Sequence, residues 1–235
     1  MAFRCLFHSH SRRSFDSILS PGKILAKARE MGVDVLIVTD HNTLQGSLDV
    51  RALAGDRSPL VICAGEYQSE KGDIIGLFLT EEIRSRNSGE IIEQIHAQGG
   101  LAVLPHPFKG HTLDDELLAA MDLVETYNGR CSDTDNAQAE ELARRWNRPV
   151  LAGADAHCAL ELRAALNVFQ AEIPRTEAEF RERLLHAPRE AVTQRAPHFC
   201  RPYSQMVKAV KSGNPRLFLY QAKRVALALA HGEDR

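Results

Sequence analysis

No apolar run in this 235-residue sequence approaches the roughly 20 residues that cross a bilayer, so no membrane helix is expected. The opening Met-Ala-Phe-Arg-Cys does not read as a signal peptide. Cysteine is scarce and odd in number: Cys5, Cys63, Cys131, Cys158 and Cys200 are widely spaced and form no C-x-x-C pair. That argues against a disulfide framework and for reduced thiols in a cytoplasm. The dinucleotide fingerprint G-x-G-x-x-G is absent, as are internal repeats and low-complexity tracts. What is there is ordinary globular material, 44% hydrophobic and 26% charged, which excludes intrinsic disorder.

The net charge of −2 is unevenly spread. Of 29 Lys and Arg and 31 Asp and Glu, residues 195–235 hold 8 and 2, which leaves the body at −8 and this segment at +6. An acidic body argues against long nucleic acid as a partner. The basic segment either docks on that body or steers an anionic substrate, and docking is the plainer reading.

Short β-rich runs alternate with amphipathic stretches of helical length. The strand candidates are Cys5–His8, Val33–Thr39, Leu60–Gly65, Ile74–Leu79, Leu101–Leu104, Leu123–Thr126, Val150–Ala152 and Ala165–Phe169. Helices are expected over Pro21–Met31, Ser88–Gln98, Leu113–Ala120, Thr134–Trp146 and Thr176–His186. Ser20 before Pro21 is an N-cap with proline at the first helical position, and Gly32 and Gly99-Gly100 close their helices. Strands separated by helices imply βαβ units and a parallel sheet, and this many units favour a closed barrel. Ser204–His231 reads as two helices split at Gly213-Asn214-Pro215 and laid on the barrel. The expected organisation is a barrel over residues 1–195 with a helical extension of the same domain over 196–235.

In such a barrel the chemistry gathers at the carboxyl ends of the strands. His8 and His10 end the first strand candidate, Asp40 and His41 the second, and Glu66 the third. His106 follows the next barrel strand, Glu125 and Asn128 the one after, and Asp155 and His157 the sixth. Alternation along a strand would point His8 and His10 to one side, and likewise Asp155 and His157. Imidazole mixed with carboxylate suits zinc, manganese or iron better than magnesium or calcium, and a carboxylate such as Glu66 can bridge two ions. Each piece alone has an ordinary reading: H-x-H is common, Asp40 fits an Asx turn and Asp155 an N-cap. Their joint placement at successive strand ends is what points to a metal site.

The ordered set His8-Ser9-His10, Val38-Thr39-Asp40-His41-Asn42-Thr43, Gly65-Glu66, Pro105-His106-Pro107 and Asp155-Ala156-His157 resembles the PHP (polymerase and histidinol phosphatase) family of metal-dependent phosphoesterases over about residues 3–170. The resemblance implies an α/β fold, a distorted (β/α)7 TIM-like barrel, here with two C-terminal helices packed on it. It also implies two or three divalent ions, manganese, zinc or iron. His8, His10, Glu66 and Asp155 would hold one metal, Glu66 and His106 a second, and Asp16, His41 and His157 a third. Asp16 stands one residue further from H-x-H than the common pattern. Asp40 is expected to orient its neighbour rather than to bind metal. Asp73 stands where many members carry histidine, and either binds the second metal as a harder ligand or leaves it loosely held; ligation is the reading taken. Only 40 residues separate Glu66 from His106, too few for the cap domain of some nucleotide-cleaving relatives. A rather open mouth is therefore expected, with recognition by the loops and the C-terminal helices.

The implied activity is hydrolysis of a small phosphomonoester, such as a nucleotide or histidinol phosphate, by a metal-activated hydroxide. Arg130 is the first candidate for a phosphate clamp, ahead of Arg12, Arg13 and Lys109. His157, or another protonated group nearby, would assist the leaving alkoxide. His96, His111, His186, His198 and His231 look ordinary, and Cys158 is not needed as a nucleophile; Cys131 is placed beside Arg130 at the pocket. Three other classes remain in view. An amidohydrolase is disfavoured because His106 stands where such barrels usually carry lysine. A nuclease acting on oligonucleotide ends has only the basic tail in its favour. A non-catalytic module is opposed by the near-complete ligand set.

Overall fold

The run Val35-Leu36-Ile37-Val38 is apolar at every position because the sheet it joins is covered on both faces. Val35 and Ile37 point inward with Phe3, Cys5, Ile62, Ile75, Val103, Leu123 and Leu151, and together they fill the barrel interior. Leu36 and Val38 point outward with Leu6 and Val61 against the first two helices. The computed structural model describes residues 1–230. Its strands are β1 Phe3–Leu6, β2 Val35–Val38, β3 Leu60–Ser69, β4 Gly72–Leu77, β5 Leu101–Leu104, β6 Leu123–Asn128, β7 Val150–Gly153, β8 Ala165–Phe169 and β9 Arg189–Thr193. The helices are α1 Pro21–Glu30, α2 Gln45–Ala54, α3 Ser88–Ala97, α4 Asp115–Ala120, α5 Asp133–Arg145, α6 Glu177–His186, α7 Cys200–Lys211 and α8 Pro215–Ala230. None of the described helices is long and apolar enough to cross a membrane.

The sheet runs β7-β6-β5-β4-β3-β2-β1-β8-β9 and curls into a nearly closed barrel. It is not all parallel, as the strand–helix alternation suggested. No helix separates β3 from β4, so the two turn back on each other antiparallel, and β4 is antiparallel to β5 as well. Strand β8 is antiparallel to both β1 and β9. Closure is made at two levels. Low in the barrel a side chain joins β8 to β7: Asn167 accepts from the Ala152 amide at 2.9 Å and donates to the Ala152 carbonyl at 2.8 Å, as a neighbouring strand would. Above β1 and β7 their continuations join directly, with Ala154 N donating to Phe7 O and His10 N to Ala156 O. Helix α6 plugs the opposite end, where Phe180 meets the stacked pair Phe3 and Phe169 edge-on.

Ser20 caps α1 by accepting from Lys23 N, and Ser132 forms a capping box with Asp135 on α5. Two elements carry no such signal and were not expected. Helix α2 has no side-chain cap of its own; Glu82, from a distant loop, accepts from Leu44 N and Thr43 Oγ instead. Strand β9 is mostly exposed and shows no apolar alternation. The two C-terminal helices form as expected, with α7 beginning at Cys200, earlier than Ser204. His231 and residues 232–235, the end of the expected extension, lie outside the described residues.

Candidate metal centre

Two strands stop short of their donors, whereas β3 runs on through Glu66. β1 ends at Leu6 and β7 at Gly153, so His8, His10, Asp155 and His157 stand on the loops that continue them. Their convergence is not strand alternation. His8 and Asp155 have left-handed backbones, φ 63° and 48°, and His106 stands at φ 29°. Such conformations cost energy for a residue with a side chain and persist where the surroundings enforce them. For His8 and Asp155 the enforcement is the direct join between their two loops, including a parallel bridge of Ser9 to Ala156, and for His106 it is the Glu125 carboxylate on its amide.

The resulting cluster is buried. His8, His10, Glu66, Asp155 and His157 are each at most 4% exposed. His8 Nε2 lies 3.5 Å from Glu66 Oε1 and 3.7 Å from Asp155 Oδ1. His10 Nε2 lies 3.6 Å from Glu66 Oε2 and 3.4 Å from Asp155 Oδ1. His106 Nε2 stands 3.1 Å from Glu66 Oε1, and His41 Nδ1 2.9 Å from Glu66 Oε2. Asp16 Oδ2 is 3.1 Å from His157 Nε2 and 3.7 Å from His41 Nε2. Glu66 is thus the central carboxylate.

Three sets of donors come within one ion's reach: His8 with His10 and Asp155, His8 with Glu66 and His106, and His10 with His41 and His157. Several of the atoms in this cluster, His8 Nε2, His10 Nε2, Glu66 Oε2, Asp16 Oδ1 and His157 Nε2, are buried without a hydrogen bond. Uncompensated, such atoms cost about 1–3 kcal/mol each. Their spacing explains the arrangement: bonds of about 2.1 Å to a tetrahedral ion put ligand atoms about 3.4 Å apart. The donor set therefore fits divalent ions. Asp73 and Asp16 line the same cavity and belong to none of the three sets, but Asp16, unlike Asp73, stands beside two of the third set's members, His41 and His157.

The groups behind the donors fix their direction. Glu125 accepts from His8 Nδ1 at 2.7 Å, from the His106 amide at 2.7 Å and from Asn128 Nδ2 at 2.9 Å. A carboxylate on the far nitrogen selects the tautomer that leaves Nε2 free. A side chain on Gly153 would collide with this carboxylate, since a Cβ there lies 1.6 Å from Glu125 Oε1. Asp40 does not reach the cavity. It accepts from Ser11 N and Oγ and from Ser14 N and Oγ, and so orders the loop that carries Asp16, while Ser14 Oγ also accepts from the His41 amide. Its expected action on a neighbour is thus exerted on the Ser11–Ser17 loop.

The electrostatics follow from this packing. Burial alone would push His8 down, but Glu125, Glu66 and Asp155 outweigh it and hold the imidazole well above its ordinary value. His41 is likewise raised, by Glu66 and Asp16 against burial. His10 is pushed down to about 3 by burial and by the neighbouring His157 and His41. Burial would raise Glu66 and Asp155, yet His41 and His8 around the one, and Lys109 and His8 around the other, hold both well below the carboxylate range. Asp73 is raised by burial and by Glu66.

A cavity of about 570 Å³ opens over the cluster. Asp16, His41, Glu66, His106, Asp155 and His157 form its floor, and Lys109, Arg130, Arg201 and Arg224 are the cations of its wall. Arg130 donates from Nε to Glu161 and from Nη2 to Ser204, which fixes its plane. Lys109 Nζ lies 3.4 Å from Asp155. Arg12 and Arg13 do not line the cavity, and Arg13 pairs with Asp49. Cys131 lines the neighbouring groove rather than this cavity, and Cys158 Sγ lies 3.4 Å from Cys200 Sγ. Helices α7 and α8 cross the rim and contribute Arg201, Gln205, Gln221 and Arg224, none of which a strand-end pattern singles out.

Comparison with known proteins agrees with this geometry. The sequence profile of the PHP-associated family matches residues 133–187. An uncharacterised protein of Methanocaldococcus jannaschii is 38% identical over 117 residues, which cover 48% of this chain and 68% of that protein. Among solved structures, a two-domain protein of Bacteroides vulgatus containing a predicted PHP-like metal-dependent phosphoesterase superposes with a TM-score of 0.70 at 18% identity, covering 83% of this chain and 65% of its own. PsfC of Pseudomonas syringae superposes with a TM-score of 0.62 at 14% identity over 96% of this chain and 98% of that one. The chain spans under two thirds of the Bacteroides protein and nearly all of PsfC. With the ordered His and carboxylate set at the rim of such a barrel, the chain belongs to the PHP family of metal-dependent hydrolases.

Proposed function

We propose that this protein is a phosphoesterase that hydrolyses a small phosphomonoester. The observation that carries the reading is the opposition of a buried donor cluster, several of whose ligand atoms lack a hydrogen bond, and a wall of four cations across one cavity of about 570 Å³, a volume suited to a small organic ligand. His8, His10, Glu66 and Asp155 would hold one divalent ion, and Glu66 and His106, with Asp73 alongside, a second. Asp16, His41 and His157 would hold a third. Bound there, divalent ions supply a water acidified towards neutral pKa and positive charge facing the phosphoryl oxygens.

The chain's own residues do the rest. Arg130 is held by Glu161 and Ser204 with Nη1 left out of both contacts, so the fork is oriented before substrate arrives. Lys109 adds a cation beside Asp155, and burial, which would lower it, is offset by that carboxylate, so it stays protonated. Arg201 and Arg224 line the cavity from the helices and would face the part of the ester that leaves. A monoester brings two negative charges to this wall, where a diester brings one.

The test is elemental analysis of the purified protein, combined with turnover of p-nitrophenyl phosphate and of bis(p-nitrophenyl) phosphate with and without added manganese. Two or three ions per chain and manganese-dependent release of phenolate from the monoester are expected. Cleavage of the diester alone would replace the monoester reading with that of a phosphodiesterase.

A further inference from the structure

Lys211, at the last residue of α7, donates to three backbone carbonyls of one loop: Arg12 O at 2.9 Å, Ser14 O at 2.6 Å and Ser17 O at 2.7 Å. An ammonium has three donors, and all three are spent here. The loop is the one that carries Asp16, which lies between the second and third of those carbonyls. Apart from Arg12 N to Leu19 O and Ser14 N to Ser11 O, it makes little main-chain structure of its own. From the barrel side Asp40 gathers the amides and hydroxyls of Ser11 and Ser14, and Ser17 Oγ donates to the carbonyls of His10 and His157. One buried anion therefore collects the loop's donors from within, and one cation collects its acceptors from without. A second contact from the same helix lies one turn earlier. Lys208 Nζ sits 4.8 Å from the centre of the Phe15 ring, and that ring stacks on His41 at 4.7 Å.

We propose that Lys211 is a positioning residue for the Asp16 corner of the metal centre, so that the ion held by Asp16, His41 and His157 depends on the docking of α7. The inference rests on the assignment of those three residues to one ion. Without the ammonium, three carbonyls on a loop of few internal bonds lose their common partner, and Asp16 loses the frame that keeps its carboxylate 3.1 Å from His157 Nε2. The His8, His10, Glu66 and Asp155 corner meets the loop at His10, through Ser14 Oγ and Ser17 Oγ, but makes no contact with Lys211 itself and is held independently by Glu125 and the β1–β7 join, so it should keep its ion.

The experiment compares metal content per chain, by elemental analysis after dialysis against metal-free buffer, for the wild type and the Lys211→Met, Lys211→Arg, Asp16→Ala and Leu184→Ala variants. Lys211→Met is expected to carry one ion fewer than the wild type, as Asp16→Ala does, while Lys211→Arg, which keeps a cation that can donate to carbonyls, recovers part of it. Leu184, buried under the far end of the barrel, should lower the melting temperature at least as much as Lys211→Met and leave metal content unchanged. If Asp16→Ala loses an ion and Lys211→Met does not, the role of Lys211 is overturned while the ligand assignment stands. If Asp16→Ala keeps every ion, the ligand assignment itself fails and takes the proposal with it. If Leu184→Ala sheds the same ion, the loss reflects general instability and the proposal is overturned.

Discussion

At the scale of single residues, the centre is held together by atoms that cannot move far. Gly153 has no side chain because Glu125 occupies its place, and Gly46 is in the same position towards Asp40, with a Cβ there 1.5 Å from Asp40 Oδ2. Gly153→Ala is expected to expel the Glu125 carboxylate from His8 Nδ1 and to weaken metal binding about 10–100-fold, the range seen when such outer partners are lost. Competition with a chelator measures this, and an unchanged affinity would show that Glu125 does not set the orientation of His8. Glu66→Ala should go further and remove metal and hydrolysis together, since Glu66 is the one carboxylate within 3.7 Å of His8, His10, His41 and His106; full activity in that variant would exclude the bridging role. The ligand types were legible because they stand in an ordered series at strand ends. The partners were not: Glu125 reaches His8 across 117 positions of sequence, and Ser11 and Ser14 reach Asp40 across 29 and 26. Nothing local in those residues announces such a bond.

At the scale of elements, α6 acts as the stopper of the barrel. Phe180 is fully buried, packs on Phe3 and Phe169, and lies at the end of the barrel away from the metal ligands. Phe180→Ala should cost about 3–5 kcal/mol of stability, read from the shift in denaturant midpoint, with turnover per folded molecule unchanged. A matching fall in turnover would mean that packing at the base is transmitted to the rim. β5 and β8 form over the expected residues because their apolar runs are bounded by clear breaks. α2 and β9 lack a local sequence signal for opposite reasons. α2 takes its cap from Glu82, which sequence proximity does not link to it, and β9 gains its place by pairing with β8 rather than by burying a face. The antiparallel return of β4 was hidden for a related reason: an apolar run records burial and not direction.

At the scale of the whole molecule, the site couples stability to pH. His8 and His41 are raised in the folded, metal-free chain, so their contribution is fully present below about pH 6.5 and is lost as pH rises through their folded values. Glu66 and Asp155 are lowered, so theirs is present above about pH 4 and is lost as pH falls through their folded values. These four groups therefore stabilise the metal-free chain most between those limits, with His10, lowered to about 3, working against them below about pH 6.5; ions compete with protons for the imidazoles and bind better above that window. The melting temperature of the metal-loaded protein should exceed that of the chelator-treated protein by more at about pH 8 than at about pH 6, and scanning calorimetry at the two pH values checks this. A gap that narrows instead would show that the ions do not displace protons from His8 and His41. The two-level closure of the barrel has a mechanical meaning of its own. The β8–β9 pair is a stave joined to the wall by main chain along β1 and, low on the other side, by the side-chain amide of Asn167. In outline the stave is a door hung on β1 and latched by Asn167, and the donors stand above it on the lintel, where the chain leaving β1 meets the chain leaving β7.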